Sequence, residues 1–411
     1  SLLGSSSPGF TMKRNKEECI MRAACYDSHG GQTVRRMRED YPMPTRRKGW
    51  VLVKIMAAGV NPVDYKLCRG DVPSILVPKP KIFGGDLAGV VVECDADSKK
   101  FKKGDKVFGM MEYKYTKWGT YAEMACVRES ALARMPKNLS FPEAACLPLV
   151  TLTSIQALRR GGICEKSRGQ LKGKRILIHA GSGGVGSVAI QLARHFGLYV
   201  ITTCSAKNAA FAKSLGANEV VDYRAQKFEE ELKNNPVDFV FDVMGADIEK
   251  RSHQIIKQTK GSAYMTILTN GMFEYFEGWG RFKKPAAYTW GLGHYSWKLT
   301  KQLFMGPAYS VTIVQPCGED MEYARDLVEK GILKPQLAKT YPFNRFNEAL
   351  SEVAEGHCRG KLAIEIAGGG SGGSVRDDSS VSSAHRLPVI DGKQSDGADE
   401  KKAGGMAGGI R

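Results

Sequence analysis

The stretch "HAGSGGVGSVAIQLARHFG", residues 179–197, contains one glycine fingerprint, Gly181-x-Gly183-x-x-Gly186. Alone, a glycine-rich turn shows only that the backbone bends tightly. The flanks decide its meaning. "KRILIHA" before it reads as a buried strand, and "GSVAIQLARHFG" after it offers Val188, Ile190, Leu192 and Ala193 as a helix face. A strand, this turn and a helix in that order form a cradle for dinucleotide phosphates. Gly181 permits the turn, Gly183 lets the backbone approach a pyrophosphate, and Gly186 lets the helix pack on the sheet with its positive end toward the phosphates. Ser182, Gly184 and Val185 complete the turn.

The same rhythm continues downstream. "YVITTCS", "EVVDY", "VDFVFDVMG" and "GSAYMTIL" read as strands, with helices at "AKNAAFAKSLGA" and "KFEEELKNN" between them. "YSVTIVQ" and "EDMEYARDLVEKG" follow as a last strand and helix. Strands alternating with helices imply right-handed crossovers and a doubly wound parallel sheet, the Rossmann arrangement. The second strand ends "TTCSAK", without the carboxylate that would grip the ribose 2′-OH of NAD. Ser205 and Lys207 suit a 2′-phosphate instead, so the expected cofactor is NADPH. Tyr223, one strand over, either adds its phenol to that pocket or is an ordinary strand-end aromatic. Cys204 reads as a small buried strand residue rather than a reactive thiol, because no histidine lies near it in sequence.

At 411 residues the chain is too long for one core. Residues 1–17 and the Gly/Ser-rich 368–411 read as disordered ends. Residues 18–146, with short strands such as "WVLVKIMAAGV" and "LAGVVVEC" broken by Gly and Pro, read as a β-rich domain to which 333–367 return. Residues 147–332 form the parallel-sheet domain. Apolar residues make up 42% of the chain and charged ones 25%, the balance of a globular protein. No run approaches the roughly 18 apolar residues of a membrane span. None of the ten cysteines forms a C-x-x-C pair, which disfavours a zinc ribbon or disulfide framework and fits a reducing compartment. The short basic, serine-bearing start also suits the end of an organelle transit peptide, leaving cytoplasm, mitochondrion and plastid open. The net charge of +17 lies in the body, since 368–411 carry equal numbers of basic and acidic residues. Without a lysine-rich block, zinc finger or ribonucleoprotein motif, a solvated basic surface is a simpler reading than a nucleic-acid face.

The ordered motifs "AAGVNPVDYKLCRG" (57–70), "IFGGDLAGVVVE" (82–93), "FKKGDKVFG" (101–109), "GTYAEMACV" (119–127), "AACLPLVTLTSIQAL" (144–158), the glycine turn and "GHCRGKLAIEI" resemble the zinc-free quinone oxidoreductase branch of the medium-chain dehydrogenase/reductase superfamily, across residues 20–367. The resemblance implies a GroES-like β-rich catalytic domain beside the Rossmann domain. Zinc-dependent relatives carry a cysteine ligand where this chain has Asn61 and a His-Glu pair where it has Gly85-Asp86, so no metal is expected. It further implies an acceptor pocket edged by Asn61, Asp64, Tyr65 and Lys66, with Thr153 beside the nicotinamide and Arg359 on the cofactor side. Asn61 would orient the acceptor oxygen, and Tyr65 or Lys66 would give a hydrogen bond or the final proton. Asp64 reads equally as a helix cap and Tyr65 equally as a core aromatic.

Without a Lewis acid, the feasible chemistry is hydride delivery to an electron-poor quinone or to an α,β-unsaturated carbonyl. The competing class is an NADPH-binding scaffold with little catalysis, for RNA or for an assembly. The stretch 271–309 interleaves aromatics with Arg281, Lys283, Lys284, Lys298 and Lys301. It reads as a lid and subunit interface of a homodimer, ahead of a membrane-surface patch.

Overall fold

The computed structural model describes residues 19–71, 78–113, 116–245, 247–267, 306–356 and 358–367. Of the expected lid segment, 271–309, residues 271–305 lie outside them, and its end enters the strand Ala308–Thr312.

The parallel sheet has six strands in the order Glu219–Asp222, Tyr199–Cys204, Arg175–Ile178, Phe239–Asp242, Ala263–Ile267, Ala308–Thr312. Every neighbouring pair is parallel. The strand before the glycine turn, Arg175–Ile178, lies between two others, and the chain then winds outward to both sides. This reversal at the central strand is the switch point where an α/β sheet opens a crevice. The strands are short and apolar because helices cover them: Leu177, Ile201, Val240 and Phe241 are all fully buried. Each such side chain contributes roughly 1.5–3 kcal/mol by leaving water.

The second sheet has seven strands. Its main path runs Leu337–Pro342, Lys361–Glu365, Trp50–Val60, Asp86–Glu93, Lys106–Met110, Leu132–Arg134, and Met124–Arg128 also pairs with Trp50–Val60. Its central strand, Trp50–Val60, spans eleven residues and pairs antiparallel with Lys361–Glu365, about 300 positions later in the chain. A smaller sheet joins Arg35–Pro42, Ile20–Tyr26 and Lys81–Ile82.

One reading needs correction. The helical stretch Phe141–Arg160 is by length and composition apolar enough to cross a membrane, although no such run was expected. Proline at 148 divides it into Phe141–Ala145 and Pro148–Arg160, and the second piece packs against the helix that follows the glycine turn. Its apolarity serves the core: Leu152, Ala157 and Leu158 have no exposed surface.

Candidate functional site

The glycine turn leads from Arg175–Ile178 into the helix Gly184–His195, with Gly183 as extended N-cap. Two of its glycines are demanded by packing. A Cβ on Gly181 would lie 2.0 Å from the Thr202 hydroxyl, and one on Gly186 would lie 2.3 Å from the Ala180 carbonyl oxygen. Gly183 differs, since a Cβ there meets only the Ala180 oxygen, at 3.3 Å. It caps the helix Gly184–His195, whose first N–H groups have no acceptor within the helix. A helix N-terminus beside such an open glycine is a place where an anion can be held. Beneath the turn, His179 is buried between Thr203 Oγ1 (3.2 Å) and Ser252 Oγ (3.1 Å), and burial pushes its pKa down to about 4. It is a neutral structural imidazole at neutral pH.

Around the rim, Ser205 follows Tyr199–Cys204 and starts the turn that carries the exposed Lys207. Cys204 is in register with Asp222, so Ser205 and Tyr223 end adjacent strands side by side. Tyr223 is 59% exposed, unusual for a large aromatic, and the Arg224 guanidinium lies 5.9 Å from its ring. Cys204 is buried, and desolvation raises its thiol pKa, which agrees with an inert strand residue. Two contacts absent from the sequence reading tie this rim together. Asn208 Nδ2 donates to Ser182 Oγ (3.1 Å), and the Gly360 N–H donates to the Ser182 carbonyl (2.9 Å). Arg359, exposed beside Gly360, stacks over Phe211 at 5.2 Å.

The facing wall begins at Asn61, which ends the strand Trp50–Val60 and starts the helix Pro62–Arg69. Proline at the first helical position and Gly70 in the left-handed region (φ 96°) define the helix ends. Here the expectation of an amide open to the acceptor is overturned. Asn61 has no exposed surface; its Nδ2 donates to Asp86 Oδ2 (2.8 Å) and Tyr113 Oη (3.2 Å), and its Oδ1 accepts from Lys361 Nζ (2.5 Å). The amide has spent its donors and an acceptor site on buried neighbours. Of the two readings of Asp64, the structure shows the cap. Its carboxylate accepts from the Asn61 N–H (2.8 Å) and from Tyr121 Oη (3.1 Å), and it is buried.

Burial dominates the electrostatics of this wall. It pushes the Asp64 carboxyl up to about 7, against the pull of the Asn61 N–H. It pushes Asp86 up to about 6, against Lys361 and Asn61. Tyr113 and Tyr121 are held neutral, well above the ordinary phenol range, by the same desolvation. Asp86 Oδ1 also accepts from the Leu149 N–H (2.9 Å), at the start of the helix that carries the buried Thr153. Tyr65 and Lys66 are half-buried on the helix Pro62–Arg69, with the Arg69 guanidinium 5.6 Å from the Tyr65 ring. Burial lowers the Lys66 pKa and raises that of Tyr65.

A tetrahedral zinc centre does not fit this donor set. Among the described residues no group of three or more His, Cys, Asp and Glu converges on one point. At the position of interest an amide and one carboxylate are already shared with a lysine ammonium, 4.0 Å from Asp86 Oδ2. That ammonium supplies the positive charge that the buried carboxylate needs.

Residues 47–137 match the alcohol dehydrogenase GroES-like domain, and residues 215–364 match a family described as zinc-binding dehydrogenase. The chain is 32% identical over 375 residues to the human "NAD(P)H oxidoreductase RTN4IP1, mitochondrial", covering 84% of this chain and 89% of that protein. It is 29% identical over 352 residues to the Arabidopsis thaliana "NADPH-dependent alkenal/one oxidoreductase, chloroplastic", covering 84% and 79%. The quinone oxidoreductase structure from Coxiella burnetii superposes with a TM-score of 0.69 at 30% identity, covering 84% of this chain and 99% of that one.

Proposed function

Since this chain belongs to the medium-chain dehydrogenase/reductase superfamily and is an NAD(P)H-class oxidoreductase, we propose that it reduces quinones or α,β-unsaturated carbonyls with NADPH and without a metal. The observation that carries this reading is the pairing of an open Gly183 flank with a rim of Ser205, Lys207 and Tyr223 that has no carboxylate at the end of the second strand. A hydroxyl and a lysine complement a 2′-phosphate dianion, whereas an acid there would repel it.

With its pyrophosphate at this turn, NADPH would supply a hydride from its nicotinamide. The turn Gly181 to Gly186 would hold the pyrophosphate at the N-terminus of the helix Gly184–His195, through first-turn N–H groups, since those of Gly181 and Gly183 already donate to Thr203 and Ala180 carbonyls. Across the wall, Thr153, Tyr65 and Lys66 frame the acceptor. Tyr65 Oη or Lys66 Nζ gives a hydrogen bond to the acceptor oxygen as negative charge develops there, and then a proton. Partial burial strengthens such a bond, because less water competes for the donor. The lowered Lys66 pKa makes its proton easier to release. Asn61 and Asp64 serve this step as the buried footing of that helix.

The Arabidopsis relative is named for alkenals and enones, and the Coxiella relative for quinones. Following NADPH absorbance against a panel of both acceptor classes, with NADH as control, tests the proposal. Oxidation of NADPH at least tenfold faster than NADH by one class is the expected result. Tight NADPH binding with no acceptor turned over would leave a cofactor-binding scaffold instead.

A further inference from the structure

Lys361 belongs to no motif whose chemistry the sequence reading explained, yet it touches both walls of the site. It opens the strand Lys361–Glu365, whose next residue, Leu362, is in register with Val60. It is 6% exposed, and its Nζ donates to the Val60 carbonyl (2.5 Å) and to Asn61 Oδ1 (2.5 Å). These are the last residue of the central strand and the residue that starts the helix Pro62–Arg69. In the other direction, its stem runs along the dinucleotide turn. Its Cδ lies 2.8 Å from where a Cβ on Gly184 would stand. The preceding residue, Gly360, forms a parallel bridge with Gly183 and donates its N–H to the Ser182 carbonyl.

We propose that Lys361 is a positioning residue: together with Gly360 it fixes the spacing between the dinucleotide turn and the helix that carries Tyr65 and Lys66. The part of this that concerns turnover rests on the hydride-transfer reading above. A lysine is suited to the place because a four-carbon stem can pass the bare Gly184 and still deliver an ammonium with three donors. Two of them are taken by Val60 and Asn61, and the charge faces Asp86. Holding Asn61 Oδ1 commits its amide nitrogen to Asp86 and Tyr113. Asn61 therefore has one orientation, and so has the first turn of the helix. A methionine of similar length would fill the space but leave two buried acceptors unpaired and the Asp86 carboxyl without its counter-charge.

The test uses the full chain with Lys361→Met, Tyr65→Phe and the double variant. Lys361→Met should lower kcat at least about tenfold while the NADPH Kd stays within about threefold, and in the Tyr65→Phe background its further effect should be under about threefold. Unchanged kcat, a fully multiplicative double variant, or a loss seen in NADPH affinity alone would overturn the assignment. A second readout needs neither turnover nor a folded variant. Parent protein is given 2′,5′-adenosine diphosphate, which occupies the turn but lacks the nicotinamide, and amide hydrogen exchange is followed over residues 62–69. Exchange there should slow at least about threefold. Bound probe with no change over 62–69 would overturn the coupling even if the enzyme turns over. An inactive parent that shows the slowing would overturn only the hydride-transfer reading.

Discussion

The two walls of the site are held by opposite physics. The dinucleotide turn is made of backbone: its glycines either permit contacts that no Cβ could survive or leave a flank open, and its one buried titratable side chain, His179, is kept neutral. The Asn61 wall is made of side chains: Asn61, Asp86, Tyr113 and Lys361 are joined by buried hydrogen bonds, and Asp64 accepts from Tyr121 through one carboxyl oxygen. A backbone cradle tolerates a change of ligand, because N–H groups recognise any phosphate. A buried polar network tolerates almost nothing, since each missing partner leaves a desolvated group behind. The geometry thus assigns general binding to one wall and exacting placement of donors to the other.

Within the turn, two glycines should respond very differently to a side chain. Gly186→Ala forces a Cβ to 2.3 Å from a carbonyl oxygen and should destabilise the fold by about 3 kcal/mol. Gly183→Ala meets one atom at 3.3 Å and should leave the melting temperature near the parent's while weakening NADPH binding at least about a hundredfold, or about 2.7 kcal/mol. Thermal melts and NADPH fluorescence titrations on the two variants check both halves. Equal melting temperatures would mean that the two glycines do the same work.

On the other wall, Tyr65→Phe removes one donor and should cost about a hundredfold in turnover, roughly 3 kcal/mol, with NADPH affinity retained. Steady-state rates beside a binding titration separate the two. A loss under about threefold would give the proton to Lys66 or to solvent. Smaller again is the rim. Lys207→Ala should remove about tenfold, or 1.4 kcal/mol, of the NADPH preference over NADH and leave NADH binding unchanged. Equal parental affinities for the two cofactors would refute the reading of "TTCSAK".

The last expectation concerns pH. Asp64 holds its proton up to about pH 7 in the folded protein but only to its ordinary carboxyl range when unfolded. Between those values the folded state binds the extra proton, so stability falls as pH rises from about 4 toward 7. Asp64→Asn should flatten the melting temperature over that window relative to the parent. Parallel curves would mean that Asp64 ionises normally in place.

Why one wall was legible and the other was not follows from the same contrast. The strand–turn–helix rhythm, the sheet and the candidate phosphate cradle follow from local spacing, because the turn's demands lie within about eight consecutive residues. That Ser205 and Tyr223 follow neighbouring strand ends is legible in the sequence because strand ends in a parallel sheet share one edge. Asn61 was identified as a site residue but given the wrong partner, since nothing local shows that Lys361 returns beside it. Tyr113 reaches Asn61 only because Gly85 has no side chain in its path, a fact of packing rather than of pattern. The role of Asp64 is local: an acid three residues after Asn61, with proline between them, is the signature of a helix cap. Asn208, Gly360 and Lys361 are tertiary contacts with no spacing that announces them.

The claim on which all of this turns is that a hydride crosses from the dinucleotide wall to an acceptor held by the other. It is tested most directly with NADPH deuterated at each transferable position of its nicotinamide in turn, an enone as acceptor, and mass spectrometry of the product. One deuterium at the β-carbon, from one face of the nicotinamide only, is the expected result. NADPH bound tightly with neither an enone nor a quinone reduced, or reduced enone without deuterium from either face, would contradict the account.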